Sequence, residues 1–237
     1  MKHTKSLCTI LALALTACGS DDDASTGKST VAVTGIVRIG SFPAGLGGVE
    51  ICAPELADVG CVTSAGDGTF TLGGLQKNTR VVITAEKELF ASALGYFELG
   101  DEDLDTNISL QELALVEQLA AKSNIPFDAS KGAIGIVIED QAGQGQAGWK
   151  ASLTPAVGDG PYYWNDTASE VDPTADATSP VGAISVVNMP AGTHSLKLDG
   201  PGTCIKDHYT VTTGTNEWEV VIRSGFFTYQ VVVCPPN

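Results

Sequence analysis

Positive charge is scarce in this chain of 237 residues: 13 Lys and Arg stand against 28 Asp and Glu, a net charge of −15. The basic residues form no cluster, so nothing reverses the sign locally. Such a surface is repelled by phosphate backbones and anionic lipid surfaces, which excludes nucleic acid as an expected partner. There is no CxxC pair, and beyond residue 17 the only histidines are His194 and His208. GxSxG, HExxH and phosphate-loop motifs are absent. Ser195 beside His194, and His208 beside Asp207, are neighbours on strand-like segments. Adjacent strand side chains point to opposite faces, so neither pair sets a nucleophile against a base. No catalytic activity is expected. The apolar run from Leu7 to Leu15 is far short of the ~20 residues that a membrane-spanning helix needs.

That run is instead the core of an export signal. Lys2 and Lys5 precede it, and Leu15-Thr16-Ala17-Cys18 closes it with small residues before a cysteine. The arrangement resembles the signal of a bacterial lipoprotein. The resemblance implies that residues 1–17 are removed, that the Cys18 thiol and new amino group are acylated, and that the protein is held in the membrane through that lipid. Each buried methylene contributes about 0.8 kcal/mol, so a multiply acylated cysteine anchors firmly. Gly19 and Ser20, rather than an aspartate, follow the cysteine and point to the outer membrane of a two-membrane cell envelope. The alternative is an ordinary secreted protein with an incidental cysteine. Cleavage removes two of the 13 basic residues and none of the 28 acids, taking the net charge from −15 to −17. Residues 18–30, rich in Ser, Asp, Thr, Gly and Lys, read as a flexible tether.

Beyond the tether, short Val, Ile and Thr runs alternate with Gly, Pro and Asp, the pattern of strands joined by turns. An internal repeat is visible. Thr34-Gly35-Ile36-Val37-Arg38, a Gly-rich loop and Gly48-Val49-Glu50-Ile51 are matched by Ile134-Gly135-Ile136-Val137-Ile138, a second Gly-rich loop and Gly148-Trp149-Lys150-Ala151. The segment from Thr63 to Leu75 parallels that from Thr178 to Gly192. The opening Gly-x-Val, the Gly-Val strand and Asp67-Gly68-Thr69-Phe70-Thr71-Leu72-Gly73-Gly74-Leu75 resemble the carboxypeptidase regulatory-like domain. The resemblance implies a transthyretin-like β-sandwich over residues 31–109 and, more loosely, a second, divergent one over 129–237. The fold class expected is all-β: two tandem Ig-like or transthyretin-like sandwich modules joined by one α-helix.

The helix is expected within a linker of residues 110–128. Leu110 to Lys122 uses strong helix formers, with Leu113, Val116, Leu119 and Ala120 on one face. Ser109 and Glu112 have the spacing of a capping box. The helix is expected to pack on a sandwich edge and fix the angle between modules. With Cys8 removed and Cys18 acylated, Cys52, Cys61, Cys204 and Cys234 remain in an oxidising compartment. Of three possible pairings, the one that keeps each bond within a module joins Cys52 to Cys61 and Cys204 to Cys234. A zinc site is the competing use, with few histidines to support it.

Two constellations are candidate sites. In Asp101-Glu102-Asp103-Leu104-Asp105-Thr106-Asn107-Ile108-Ser109-Leu110-Gln111-Glu112, oxygen side chains occupy positions 1, 3, 5, 9 and 12 and Asn107 can offer its carbonyl, as in an EF-hand calcium loop. Thr106 stands where that loop turns on glycine. The readings left open are a calcium site made by Asp101, Asp103, Asp105, Asn107, Ser109 and Glu112, and a solvated acidic stretch with no cofactor. The second constellation is Trp149 with Tyr162, Tyr163, Trp164, Asn165 and Asp166. Aromatic faces stack on sugars while Asn and Asp bond hydroxyls, so these residues are candidates for contact with polysaccharide or an envelope protein. The competing reading buries the rings in the second core. The function expected is a non-catalytic, envelope-anchored binding module for protein or polysaccharide, with a purely structural spacer or a calcium-dependent module as alternatives.

Overall fold

A computed structural model describes residues 29–40, 42–205 and 211–235. The signal, Cys18, most of the tether, and Asp207 with His208 lie outside the described residues. The chain is strand-built, as expected. Its first half contains β1 (Thr30–Ile39), β2 (Glu50–Cys52), β3 (Cys61–Thr63), β4 (Thr69–Gln76), β5 (Arg80–Glu86), β6 (Phe90–Glu98) and β7 (Leu104–Glu112). The helix α1 (Leu113–Lys122) follows. The second half contains β8 (Gly132–Glu139), β9 (Lys150–Thr154), β10 (Asp159–Tyr163), β11 (Ala183–Met189), β12 (Gly192–Asp199), β13 (Val211–Gly214), β14 (Glu217–Ile222) and β15 (Phe226–Val233).

The same pairing order occurs twice. β1 lies between antiparallel β4 and parallel β7, while β2 pairs β5 and β5 pairs β6. Likewise β8 lies between antiparallel β11 and parallel β15, while β9 pairs β12 and β12 pairs β14. A parallel first and last strand requires a long return path, and each half makes that return through its second sheet. Alternating residues then meet between the sheets in two separate cores. Val33, Leu72, Ile83 and Leu110 are among those filling the first. Ile136, Trp149, Ile184 and Trp218 are among those filling the second.

The repeat extends to single hydrogen bonds. Val37 N–H donates to Gly68 O (2.9 Å) and Val37 O accepts from Leu46 N–H (2.8 Å); Ile138 N–H donates to Gly182 O (2.9 Å) and Ile138 O accepts from Gln146 N–H (2.8 Å). Behind each corner sits a buried hydroxyl. Ser64 Oγ donates to Leu46 O (2.8 Å) and accepts from Val49 N–H (3.0 Å). Thr178 Oγ1 donates to Gln146 O (2.8 Å) and accepts from Trp149 N–H (3.0 Å). Ser64 therefore corresponds to Thr178, one residue away from the match of Thr63 with Thr178 that the sequence suggests. Gly35 faces Phe70 and Ile136 faces Ile184, so Gly35 corresponds to Ile136 rather than Gly135. The two glycines have different causes. A Cβ on Gly35 would lie 1.5 Å from Thr106 O, whereas one on Gly135 would lie 2.8 Å from Phe227 Cε1 on the other side of the sheet.

The halves are joined through β15. Its register with β8 runs from Phe227 opposite Ala133 to Val233 opposite Glu139, and its other edge pairs with β6 from Phe226 opposite Ser92 to Thr228 opposite Leu94. The sheet order β10-β11-β8-β15-β6-β5-β2-β3 thus crosses from one half into the other. Tyr96 Oη donates to Glu219 Oε1 (2.9 Å), Arg80 lies 3.6 Å from the same oxygen, and Arg223 Nη2 donates to Glu55 Oε1 (2.7 Å).

The helix differs from expectation in position and role. β7 continues through Glu112, because Leu110 is fully buried and Ser109 and Leu110 pair with Arg38 and Ile39. Ser109 Oγ donates to Gly40 O (2.9 Å) and makes no capping box; Glu112 is the N-cap and makes no side-chain cap bond. The C-terminus ends in a Schellman arrangement. Asn124, at φ 53°, donates its N–H to Ala121 O (3.1 Å), and Ile125 N–H donates to Ala120 O (2.8 Å). Ala120, Ile125 and Phe127 then pack against Ala133, Val187 and Phe227. The helical linker lies on the outer face of a sheet, not on a sandwich edge, and the shared ladder of β15 sets the angle between the halves. Asn188 holds the linker there: its Oδ1 accepts from Asp128 N–H (2.8 Å), and its Nδ2 donates to Asp159 Oδ2 (2.7 Å) and to Pro126 O.

Both disulfides form as expected, Cys52 with Cys61 across the β2–β3 pair and Cys204 with Cys234 at the end of β15. They close separations of 9 and 30 residues. Loop-closure entropy gives about 2–3 kcal/mol for the first and about 3–4 kcal/mol for the second. Urea denaturation of paired Cys→Ser variants is expected to show the larger loss for Cys204 with Cys234. Ser64→Ala and Thr178→Val each strand a buried acceptor and a buried donor, so each is expected to cost about 1–3 kcal/mol in the same assay. Equal losses at the two sites will reflect their matched geometry.

Candidate functional site

Where α1 and its continuation cover part of the outer face of the β8–β11–β15 sheet, the remainder of that face is open and forms a groove of about 470 Å³. The position follows from strand alternation. Ile134, Ile136 and Ile138 point into the second core, leaving Ala133, Gly135 and Val137 on the opposite face. On β15, Thr228, Gln230 and Val232 are buried inward, while Phe227 and Tyr229 face out. Ser185 and Val187 of β11 complete the floor. Leu115, Val116 and Leu119 of α1 form one wall, and Phe42 and Trp164 stand at other edges.

Phe42 is 67% exposed, Leu115 43% and Tyr229 38%, an unusual concentration of exposed apolar side chains around one cleft. Among the described residues no charged side chain lines it. Two of its polar groups already have partners: Trp164 Nε1 donates to Ser185 Oγ (2.9 Å), and Ser109 Oγ is engaged with Gly40. The groove therefore offers apolar surface with little hydrogen bonding. Its volume falls within the range of ordinary ligand pockets.

The structure divides the aromatic constellation: Tyr162, Tyr163 and Asn165 line one open cavity of about 990 Å³, Trp164, Asn165 and Asp166 line another of about 430 Å³, and Trp149 lies apart from both. Trp149 and Tyr163 are buried in the second core, and Tyr163 Oη accepts from Ala151 N–H (3.2 Å). Tyr162 and Trp164 are half-buried beside Phe127 and Val187. Asn165 Oδ1 holds a turn, accepting from Thr167 N–H (3.2 Å) and Ser169 N–H (3.1 Å), while Asp166 is exposed. Of the six, Trp164 alone lines the groove. The signal for Phe227 and Tyr229 lay in β15 itself, where Phe226-Phe227-Thr228-Tyr229 places large rings on the face that sandwich alternation leaves outside.

The acidic stretch does not fold as a calcium loop. Leu104–Glu112 is β7, and a strand rises about 3.3 Å per residue, so Asp105 and Glu112 cannot converge on one ion. Its alternating oxygens follow the period of a half-buried strand: Asp105 and Asn107 are exposed, Leu104, Thr106 and Leu110 buried. Asp103 Oδ1 accepts from Ala32 N–H (2.7 Å) and Asp101 Oδ1 from Asn78 Nδ2 (3.0 Å), so these two close the ends of β1 and β5. Among the described residues, possible metal ligands gather within 4.8 Å at Glu50, Cys52 and Cys61, but both sulfurs are committed to the disulfide.

Although 38% of Tyr229 is exposed, desolvation pushes its hydroxyl up to about 12, and the nearby Glu139 carboxylate adds to the rise. Burial and Asp159 raise Tyr162 in the same direction. A tyrosine in the unfolded chain ionises near pH ~10. Because the folded value is higher, the native state keeps a proton that the unfolded chain releases. The contribution is complete below pH ~10 and is lost as pH rises towards about 12. A tyrosinate absorbance titration is expected to show a late step, and Tyr229→Phe to remove it.

No family model matches the chain. No curated protein matches it either. Solved structures similar to it include the TIE protein of Bacillus anthracis, 13% identical with a TM-score of 0.29, covering 88% of this chain and 34% of that one. A streptococcal ancillary pilin is 13% identical with a TM-score of 0.31, covering 87% and 69%. BcpA, the major pilin subunit of Bacillus cereus, is 8% identical with a TM-score of 0.26, covering 88% and 100%. The chain thus spans about a third of the length of the first, 34%. Such low TM-scores carry nothing about ligand, partner or assembly over to this chain. Among the described residues no helix is long and apolar enough to cross a membrane.

Proposed function

We propose that the chain is a non-catalytic lipoprotein of the cell envelope, anchored through acylated Cys18, whose two tandem transthyretin-like β-sandwich modules act as one rigid body that presents a binding face. The twofold recurrence of strand pairing and of the Ser64 and Thr178 corners supports the tandem modules. The observation that carries the rigid body is the pairing of β15 with both β8 and β6. A jointed pair of modules needs only a linker, whereas this pair shares a sheet. The apolar groove favours a protein partner over a polysaccharide, since it offers little hydrogen bonding to sugar hydroxyls and Trp149 and Tyr163 are buried in the second core. The outer membrane is the proposed location, on the ground of Gly19 and Ser20 after the acylated cysteine.

Cys18→Ser tests the anchor directly. In cells fed a labelled fatty acid, the parent protein is expected to carry label and to sediment with membranes. The variant is expected to lose the label and move to the soluble fraction, and a variant that still sediments with membranes refutes the lipid anchor.

A further inference from the structure

Resting on the reading of a binding body, the occupant of the groove can be specified. We infer that the groove between α1 and the outer face of β8, β11 and β15 receives a basic amphipathic helix of a partner protein.

Three observations converge on that occupant. First, the groove continues an interface that already exists. α1 and the residues after it cover Ala133, Val187 and Phe227 with Ala120, Ile125 and Phe127, while Val137 and Tyr229 beside them stay uncovered. A second helix laid beside α1 extends the same helix-on-sheet layer and covers Leu115 and Phe42 at the same time. Second, carboxylates flank the groove on two sides. Exposed Glu112 lies one helical turn before Leu115 and Val116, and Glu139 follows Val137 on the same face of β8, while Arg38, which pairs with Ser109, is a basic neighbour at the β1 end. The basic residue of the last turn of α1, Lys122, is engaged with Glu170 (3.5 Å). An uncharged floor between carboxylates selects a helix with an apolar face and Lys or Arg along its flanks.

Third, the course of the chain disfavours the lipid and the tether as occupants. The tether enters at Thr30, and the groove lies beside Gly40 at the other end of β1. Ten strand residues separate those points by about 30 Å. The tether's Ser, Asp and Gly residues also have nothing to bury in an apolar cleft.

Trp164 supplies the readout, because it lines the groove while Trp149 and Trp218 are buried in the second core. The test uses the full mature chain carrying Cys18→Ser, which needs no detergent, and two synthetic helical peptides of the same length, one built of Leu and Lys and the other of Leu and Glu. The Leu/Lys peptide is expected to shift Trp164 emission and to bind by calorimetry, more weakly as salt is added, while the Leu/Glu peptide does not bind. Phe42→Ser combined with Leu115→Lys changes two exposed side chains, and an unchanged melting temperature will show that the fold is intact. The pair is expected to weaken Leu/Lys binding about tenfold or more. Equal binding of the two peptides, binding of neither, or binding indifferent to the double substitution overturns the inference. So does a concentration-dependent dimer, or binding to phosphatidylcholine vesicles, that the double substitution abolishes, since the groove then serves a second copy or a lipid surface. The lipid-labelling result for Cys18 stands apart from all of these outcomes, so failure here is distinguishable from failure of the anchored-body reading.

Discussion

Hydrogen bonding on both edges of β15 is the constraint from which the rest of the arrangement follows. A strand in the last position of a sandwich ordinarily completes its own sheet. Here the far edge of that strand is occupied by β6, so the second half cannot rotate against the first without breaking backbone hydrogen bonds. With the ladder fixed, Glu219 comes within reach of Tyr96 and Arg80, and Arg223 within reach of Glu55. Burial raises the Tyr96 hydroxyl, and its bond to the Glu219 carboxylate raises it further, as expected of a phenol held neutral at a tight joint. These polar contacts reinforce a geometry that the strands have already set, since surface ion pairs alone contribute little.

The same ladder explains why an apolar face is left open. Sharing β15 brings the outer surface of the second sheet beside the end of β7, where α1 begins. Ten helical residues and a short linker are enough to cover Ala133, Val187 and Phe227 but not Val137 or Tyr229. An isolated sandwich hides its apolar residues between its sheets, whereas here the large rings of Phe227 and Tyr229 lie outside, on the face that α1 partly covers. α1 therefore belongs to a third layer, and the open groove is the unfilled part of it.

Much of the architecture was legible in the sequence, because strands, turns and cysteines leave local marks. The alternation around Phe70 and Leu72 and a cysteine pairing confined to each half appear in the structure, and the repeat appears with its matches shifted by one residue. What was misread or left open shares one cause: a single residue pattern can serve two structures. Oxygen side chains at every second position suit a calcium loop and a half-buried strand alike, and the pairing of β7 with β1 decides for the strand. Ser109 suits an N-cap as well as a strand position, and Gly135 suits the repeat although an unrelated ring contact requires it. The shared sheet could not be read locally at all, since nothing in Phe226 to Val233 says that two strands will flank it. The groove stayed hidden for the same reason, being made by residues from β1's exit, α1, β8, β11 and β15 that meet only after the halves have joined.

The Cys204–Cys234 bond acquires another meaning when the fold is considered under force. Tension applied at Cys234 does not fall on the β15 ladder alone. The covalent bond carries it to Cys204, in the stretch that follows β12, and so into the opposite sheet. The strand that unites the two halves thereby shares the load at its own end with a second path. Stress is divided between the two faces of the second sandwich, where shearing several antiparallel strands together resists extension better than peeling one strand away.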